Sequence, residues 1–147
     1  MEITLEQSAE IKKLLTKCKL WQKKEQIVKD FSLDSHEQIG KLTGEEAERL
    51  KVYLVELEEK GNKMRRKLLS IGYQMNFDAP ISAAQKNMDP KDINFKNVNA
   101  WCESDKSMHK KSLNRLNPFE LTETVTQFEN VLKSYKTERQ KVAHARR

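Results

Sequence analysis

Histidine is the side chain most often used as a base or metal ligand near neutral pH, and the chain contains three: His36, His109 and His144. Each lies in a predicted loop or in the C-terminal tail, without the histidine or carboxylate partner at helical spacing that such a residue usually has. The sequence also lacks phosphate-binding, nucleophile-elbow, zinc-protease and dinucleotide-binding motifs. We therefore expect three surface histidines, no catalytic residue, no metal site and no cofactor, in a chain that is not an enzyme.

Basic side chains, which neutralise phosphates, are the other candidates for function. They form three clusters, at the middle of the chain, in a predicted loop and at the C-terminus: Lys63, Arg65, Arg66 and Lys67; Lys110, Lys111 and Arg115; and Lys133, Lys136, Arg139, Lys141, Arg146 and Arg147. Such clusters are typical of contacts with phosphate backbones, so we expect them to bind duplex nucleic acid with weak specificity. The aromatic residues fall at apolar positions, so we expect no exposed platform for stacking unpaired bases.

The formal net charge of +6 lies almost entirely at the C-terminus. Residues 133–147 hold six Lys or Arg against one Glu, which leaves the preceding 132 residues with a net charge of only +1. This basic tail either holds a phosphate backbone or is a solvated end that keeps the protein soluble.

The expected environment is intracellular. No window approaches 18 apolar residues, and no apolar run follows a basic stretch at the start, so we expect a soluble protein without membrane contact. The two cysteines are too far apart for a disulfide framework and fall on predicted apolar faces. They predict buried free thiols in a reducing compartment: Cys18 and Cys102.

Apolar residues recur at helical spacing over most of the chain, and no stretch shows the alternation of a strand. Thr4 with Gln7, and Thr43 with Glu46, form capping boxes that open helices. Between them, the residues from Trp21 to Phe31 predict a shorter helix.

The second half begins where the helix opened by Thr43 is expected to end. Gly61 is placed as a left-handed residue after the last turn, and Asn62 caps the next helix. A long loop is predicted over residues 76–94, and Asn117 with Glu120 opens the last helix. The last helix carries an apolar stripe that lines either an intramolecular core or a dimer seam: Leu121, Val125, Phe128, Leu132 and Tyr135.

The second half of the chain repeats the first. Residues 38–57 align with residues 112–132, with Leu42 over Leu116. The first helices of the two copies align at an offset of 54 residues and the last helices at 74, so the second copy carries about twenty extra residues.

The expected fold class is therefore all-α. Two consecutive three-helix units, residues 1–61 and residues 62–135, form a compact helical domain, and residues 136–147 are a basic C-terminal extension. Because the extra loop and the basic extension belong to the second copy, we expect the functional surface there.

The segments MRRKLLSIGYQMNF, NVNAWC and LN…ELTETVTQFENVL are similar to the C-terminal region of the GemA-like regulatory proteins of Mu-like phages and prophages. Met75-Asn76-Phe77, Trp101-Cys102 and residues 116–128 take the places of that family's turn, short aromatic helix and closing helix. The resemblance implies an early-expressed regulator that modulates host gene expression or DNA topology in the bacterial cytoplasm. The family has no catalytic residue to carry over.

Two functions remain open. The first is a phage or prophage regulator held to duplex DNA by its basic residues. The alternative is a protein-binding inhibitor, comparable to an anti-CRISPR protein, that docks on a host nucleic-acid-handling or antiviral defence complex. Retention on DNA at low salt, and host partners that survive nuclease treatment, separate the two. The sequence leaves the oligomeric state open.

Overall fold

The computed structural model describes residues 2–32 and 37–145, and over these residues the chain forms α-helices and no strand. The helices are α1 (Leu5–Lys17), α2 (Lys24–Phe31), α3 (Gly44–Gln74), α4 (Pro90–Glu103) and α5 (Pro118–Ala145). Short 3-10 turns lie at Trp21–Lys23, Ile39–Lys41, Ala83–Gln85 and Leu113–Arg115. The expected all-α class is confirmed. No helix within the described ranges combines the length and apolarity needed to cross a bilayer.

The chain divides into two compact units, Met1–Asn62 and Lys63–Arg147, and each has its own hydrophobic core. The first core includes fully buried side chains from α1, α2 and the first part of α3: Ile11, Leu15, Val28, Leu50 and Leu54. The second includes side chains from the rest of α3, α4 and α5: Leu68, Val98, Cys102, Leu121 and Phe128. Full burial of a large apolar side chain stabilises the fold by about 1.5–3 kcal/mol. Each unit is therefore stabilised by the buried side chains of its own core.

α3 is one helix of 31 residues, so the expected helix end at Gly61 and helix cap at Asn62 are wrong. The apolar stripe of α3 explains why. Positions 50, 54, 57, 61, 64, 68, 71 and 75 are all buried or half-buried and follow one another at alternating steps of four and three. Gly61 thus lies on the buried stripe of α3. The packing of stripe residues before and after it outweighs the cost of about 1 kcal/mol that a helical glycine carries.

The repeat seen in the sequence recurs at the starts of α3 and α5, each of which follows a 3-10 turn and opens with a capping box. Thr43 N–H donates to Glu46 Oε1 at 2.8 Å, and Glu46 N–H donates to Thr43 Oγ1 at 3.1 Å. Asn117 and Glu120 exchange the matching bonds at 3.1 and 2.8 Å. The box expected at the start of α1 is also confirmed.

α1 and α3 end in the same way. The chain enters the left-handed region at Lys19 and at Asn76, both with φ 60°. The following residues, Leu20 and Phe77, each donate an N–H to the carbonyl five residues earlier at 2.9 Å, which is a Schellman motif. Aligning these two helix ends gives an offset of 57 residues between the first helices of the two copies, whereas the sequence pattern indicated 54. A shift of three residues is nearly one helical turn, so the apolar pattern alone did not separate the two alignments.

The long loop is shorter than expected, because α4 begins at Pro90. Asp89 caps this helix by accepting the Lys91 N–H at 3.0 Å, and proline suits the first turn because its missing N–H would lack a helical partner. The expected loop over residues 76–94 is therefore wrong for its last five residues. One of them, Asn94, is buried and donates to the Leu69 carbonyl at 2.9 Å.

The apolar stripe of α5 packs into the core of the second unit, which settles its role in favour of an intramolecular core. Leu121, Val125 and Phe128 are buried, while Leu132 and Tyr135 are half-buried against them. The helix continues to Ala145, so the expected basic extension is helical over its described part. From Lys136 to Ala143 every side chain is exposed, so this end of α5 lies beyond the core.

Both cysteines are buried free thiols, as expected. Cys18 Sγ lies 3.5 Å from the Leu54 carbonyl oxygen in the first core. In the second core, burial raises the pKa of the Cys102 thiol to about 12, and the nearby Glu103 charge adds to the shift. The neutral thiol is therefore the stable form of Cys102, and it is poorly suited to nucleophilic chemistry.

Candidate nucleic-acid interface

Formal charge is divided unevenly between the two units. Met1–Asn62 contains 11 Lys or Arg and 13 Asp or Glu, a net charge of −2. Lys63–Arg147 contains 17 Lys or Arg and 9 Asp or Glu, a net charge of +8. A polyanion is therefore attracted to the second unit as a whole, and not only to its C-terminal end.

Two of the predicted basic clusters meet where α3 packs beside α5. Lys67 Nζ lies 2.9 Å from Glu129 Oε1, which joins the outer flanks of the two helices. Lys63 precedes Lys67 by one turn, and Lys133 and Lys136 follow Glu129 by one and two turns, so they share these flanks. Lys63, Lys133 and Lys136 are exposed and form no ion pair with any described residue. We refer to four residues as the basic flank: Lys63, Lys67, Lys133 and Lys136.

The charge pattern of α3 is only partly explained by the helix dipole. Glu45 and Glu46 lie in the first turn, where the positive end of the dipole favours carboxylates. The last turn carries no basic residue. Five of the 15 residues from 60 to 74 are nevertheless Lys or Arg, and none is acidic. Because the influence of the dipole fades within one turn, it does not account for this basic stretch.

Arg65, expected to contact phosphate, is instead turned into the unit. Its guanidinium donates from Nη2 to the Leu116 carbonyl at 3.1 Å and from Nε to the Leu113 carbonyl at 3.5 Å. These carbonyls lie just before α5, so the side chain ties α3 to the segment that precedes that helix. The neighbouring Arg66 is exposed and has no ion-pair partner in the described part of the chain.

In the loop between α4 and α5, two of the predicted contact lysines are paired with carboxylates. Lys110 Nζ lies 3.8 Å from Asp105 Oδ1, and Lys111 Nζ lies 2.6 Å from Glu120 Oε2. Burial by itself raises the pKa of Glu120, but hydrogen bonds from Lys111 and from the capping main-chain N–H lower it below its ordinary value. The exposed Arg115 lacks an ion pair among the residues described. It is thus the cation of this cluster that a phosphate reaches without competition.

The last turns of α5 carry the third cluster. Lys141 Nζ lies 3.7 Å from Glu138 Oε1. The Arg139 guanidinium lies 5.6 Å from the centre of the Tyr135 ring and donates to its hydroxyl at 3.4 Å. Two expected contact residues lie outside the described residues: Arg146 and Arg147.

His109 is half-buried, so its expected surface position is wrong. Its side chain is 20% exposed, with Nδ1 3.5 Å from Glu120 Oε2 and Nε2 3.7 Å from Glu123 Oε2. Gln127 on α5 holds this loop down through two hydrogen bonds to the loop main chain, at 2.8 and 2.6 Å. Its Nε2 is buried and has no hydrogen-bond partner among the described residues. Of the other two histidines, His36 lies outside the described residues, and so does the side chain of His144.

The first unit contains an aromatic platform that the sequence did not lead us to expect. Trp21 is 41% exposed, and Lys24 Nζ lies 4.5 Å from the centre of its ring. The indole lines an open groove of ≈ 530 Å³ together with four residues of α1: Lys12, Lys13, Thr16 and Lys17. The sequence signal that could have revealed this groove is the stretch from residue 11 to residue 24, which holds six lysines and no acidic residue.

Over residues 2–32 and 37–145, the acidic, histidine and cysteine side chains form no group of three that could hold a metal ion. No protein-family model, curated protein or solved structure matches the chain.

Proposed function

We propose that the protein is a non-enzymatic, DNA-associated regulator that is encoded by a phage or prophage and modulates host gene expression or DNA topology in the bacterial cytoplasm. The observation that carries the proposal is the basic flank, which lies on a unit of net charge +8. The phage setting rests on the resemblance of three short segments of the sequence to GemA-like proteins. The flank supplies the chemistry, which is phosphate binding.

The three unpaired lysines of the basic flank suit that chemistry because they share the flanks of two adjoining helices. Lys63, Lys133 and Lys136 can bind phosphate and release counterions from the duplex without first breaking an ion pair. Elsewhere in the second unit, a phosphate must compete with a carboxylate for Lys110 and for Lys141. Weak sequence specificity follows, because contacts with phosphates position a protein on DNA but do not read bases.

Two triple variants that remove the same formal charge test this proposal. One replaces the unpaired lysines of the basic flank, Lys63→Gln, Lys133→Gln and Lys136→Gln, and the other replaces three paired lysines outside the flank, Lys110→Gln, Lys111→Gln and Lys141→Gln. Affinity for duplex DNA is measured over a range of salt concentrations. The first variant should reduce the slope of log affinity against log salt by about 2.7, from about 0.9 for each lost phosphate contact. The second should reduce it by less.

Deletion of residues 136–147 should also flatten the salt dependence, since it removes five of the 28 Lys and Arg residues. The proposal fails if the full-length protein is not retained on duplex DNA at low salt. Equal changes in slope for the two triple variants would also contradict it, because they would indicate attraction by overall charge and not by the basic flank.

A second candidate is a protein-binding inhibitor of a host nucleic-acid-handling or antiviral defence complex. The observation that favours it is the exposure of large apolar side chains on the loops of the second unit. Ile81, before α4, is 76% exposed, and Met108, before α5, is 58% exposed. A partner that covers them gains about 25 cal/mol per Å² of apolar surface removed from water. Capture of host proteins from nuclease-treated lysate, lost in an Ile81→Ser, Met108→Ser variant, would support this candidate.

A further inference from the structure

The groove beside Trp21 is a local positive site on an acidic unit. Six lysines lie within residues 11–24, and none forms an ion pair with a described residue: Lys12, Lys13, Lys17, Lys19, Lys23 and Lys24. The rest of the first unit carries 5 Lys or Arg against 13 Asp or Glu, a net charge of −8. The separation of charge concentrates the attraction for an anion at the groove.

The end of α1 directs Trp21 out of the core. Leu20 is fully buried and closes the Schellman motif, and the 3-10 turn begins at the next residue. Lys19 occupies the left-handed position of that motif, where glycine is favoured.

We propose that this groove binds single-stranded nucleic acid, with an unpaired base stacked on the Trp21 indole and the adjoining phosphates held by lysines of α1. Stacking on an aromatic ring accepts any base, because every base has a π face. Lys12, Lys13 and Lys17 line the same groove as the indole, so one short strand reaches both. The proposal does not depend on duplex binding by the basic flank, since the two surfaces belong to different units.

The chemistry of the groove favours a single strand over a duplex. Within a duplex each base face is covered by its neighbours, and the protein meets only base edges, sugars and phosphates. An exposed indole adds nothing to such contacts, whereas a single strand offers its base faces for stacking. The Lys24 ammonium lies over one face of the indole, so a base stacks on the opposite face, and the lysine adds positive charge to the site.

Tryptophan fluorescence reports the proposed stacking directly. The protein has two tryptophans, and Trp101 is only 8% exposed in the second core, so quenching by a bound base should come from Trp21. The probes are oligodeoxyuridylate and oligouridylate of about 12 nucleotides, which differ only in the sugar and lie within the range covered by one small binding domain. Both should quench the fluorescence, and a difference in affinity between them identifies DNA or RNA as the preferred source of the strand.

Variants at Trp21 test the stacking by anisotropy of a labelled oligonucleotide. Trp21→Ala should weaken binding by about 5- to 150-fold, the range seen when a stacking platform is removed. Trp21→Phe keeps an aromatic face and should lose less. Phe119→Ala removes an aromatic side chain that is 44% exposed on the second unit, and this matched control should bind as the parent does. Circular dichroism verifies that each variant keeps its helices.

A pair of lysine variants tests the phosphate contacts. Replacing Lys12, Lys13 and Lys17 with Gln should reduce the salt slope for single strands by about 2, at about 0.7 per contact. The control replaces three exposed lysines of the second unit that also lack ion pairs among the described residues: Lys86, Lys91 and Lys96. It removes the same charge and should change the slope by less.

The outcomes separate this proposal from its rivals. Undiminished binding of both oligonucleotides by Trp21→Ala would overturn it, and so would equal effects of the two lysine variants. Quenching of Trp21 by phosphatidylserine vesicles but by neither oligonucleotide would assign the groove to a membrane surface instead. If the Lys63, Lys133 and Lys136 variant loses duplex binding but keeps single-strand binding, the two surfaces act independently.

Discussion

Replacing Gly72 with alanine should destabilise the protein, although alanine is the better helix former. Gly72 lies in α3 where that helix packs against α4. A Cβ atom built on it would lie 2.5 Å from Val98 Cγ2 and 2.6 Å from Asn94 Oδ1. Carbon atoms in favourable contact are about 3.5–4.0 Å apart, so both neighbours would have to move.

The expected loss in unfolding free energy combines one favourable and two unfavourable contributions. Alanine gains about 1 kcal/mol over glycine in a helix interior. Overpacking a core costs about 1–3 kcal/mol, and Val98 is fully buried and stiff at χ1, so it yields poorly. Movement of Asn94 also endangers its hydrogen bond to the Leu69 carbonyl, which contributes about 0.5–1.5 kcal/mol. The net loss in unfolding free energy is about 0.5–3.5 kcal/mol.

Urea denaturation followed by circular dichroism and by tryptophan fluorescence measures this loss. Gly40→Ala is the matched control, because a Cβ at Gly40 meets nothing within 4 Å, and its effect should stay within about 0.5 kcal/mol. Val98→Ala removes the atom in closest conflict. The double variant Gly72→Ala, Val98→Ala should therefore lose less than the sum of the two single variants, by about 0.5–3 kcal/mol.

A Gly72→Ala protein as stable as the parent, or more stable, would refute this reasoning. It would mean that α3 and α4 separate at little cost to admit the methyl group. Additive losses in the double variant would instead show that Val98 is not the group that resists.

Two further predictions concern titratable groups of the second unit. The pKa of Glu120 is lowered in the folded state, so its stabilising contribution is present above its ordinary value of 4.5 and is lost as pH falls through the folded value. The unfolding free energy of the parent should thus exceed that of Glu120→Gln at pH 7, and the difference should vanish on acidification. A persistent difference would locate the effect in packing. With its pKa raised to about 12, Cys102 should not react with a thiol reagent at pH 8 until the protein unfolds. Labelling of the native protein, followed by peptide mapping, would contradict that burial.

Local signals in the sequence predicted the starts of several helices correctly. Capping boxes at Thr4, Thr43 and Asn117 are formed within four residues, so no distant contact is needed to specify them. A local signal was misleading at Gly61. Glycine often ends a helix, but this one lies in an apolar stripe whose phase continues unbroken. The cap at Asp89 was also missed, because the proline that follows it suits a loop as well as the first turn of a helix.

The candidate site depended more strongly on contacts between distant residues. Arg65 is among the predicted phosphate contacts by composition, yet its hydrogen bonds reach carbonyls 48 and 51 residues further along the chain. The burial of His109 depends on Gln127 and two carboxylates of α5, which no spacing around the histidine reveals. The aromatic residues were expected at apolar positions without an exposed platform, yet Trp21 is 41% exposed directly after the Schellman motif that Leu20 closes.

The sequence alone determined the helical class, the capped helix starts, the apolar stripes and the surplus of basic residues, because each of these follows from residue type and spacing over one or two turns. Which lysines are free for a ligand was settled only by tertiary packing. Lys67 meets a carboxylate on another helix, whereas Lys63, one turn away on the same helix, has no ion-pair partner among the described residues. Charge pairing depends on three-dimensional neighbours within about 4 Å, and helical periodicity does not specify those neighbours across the chain.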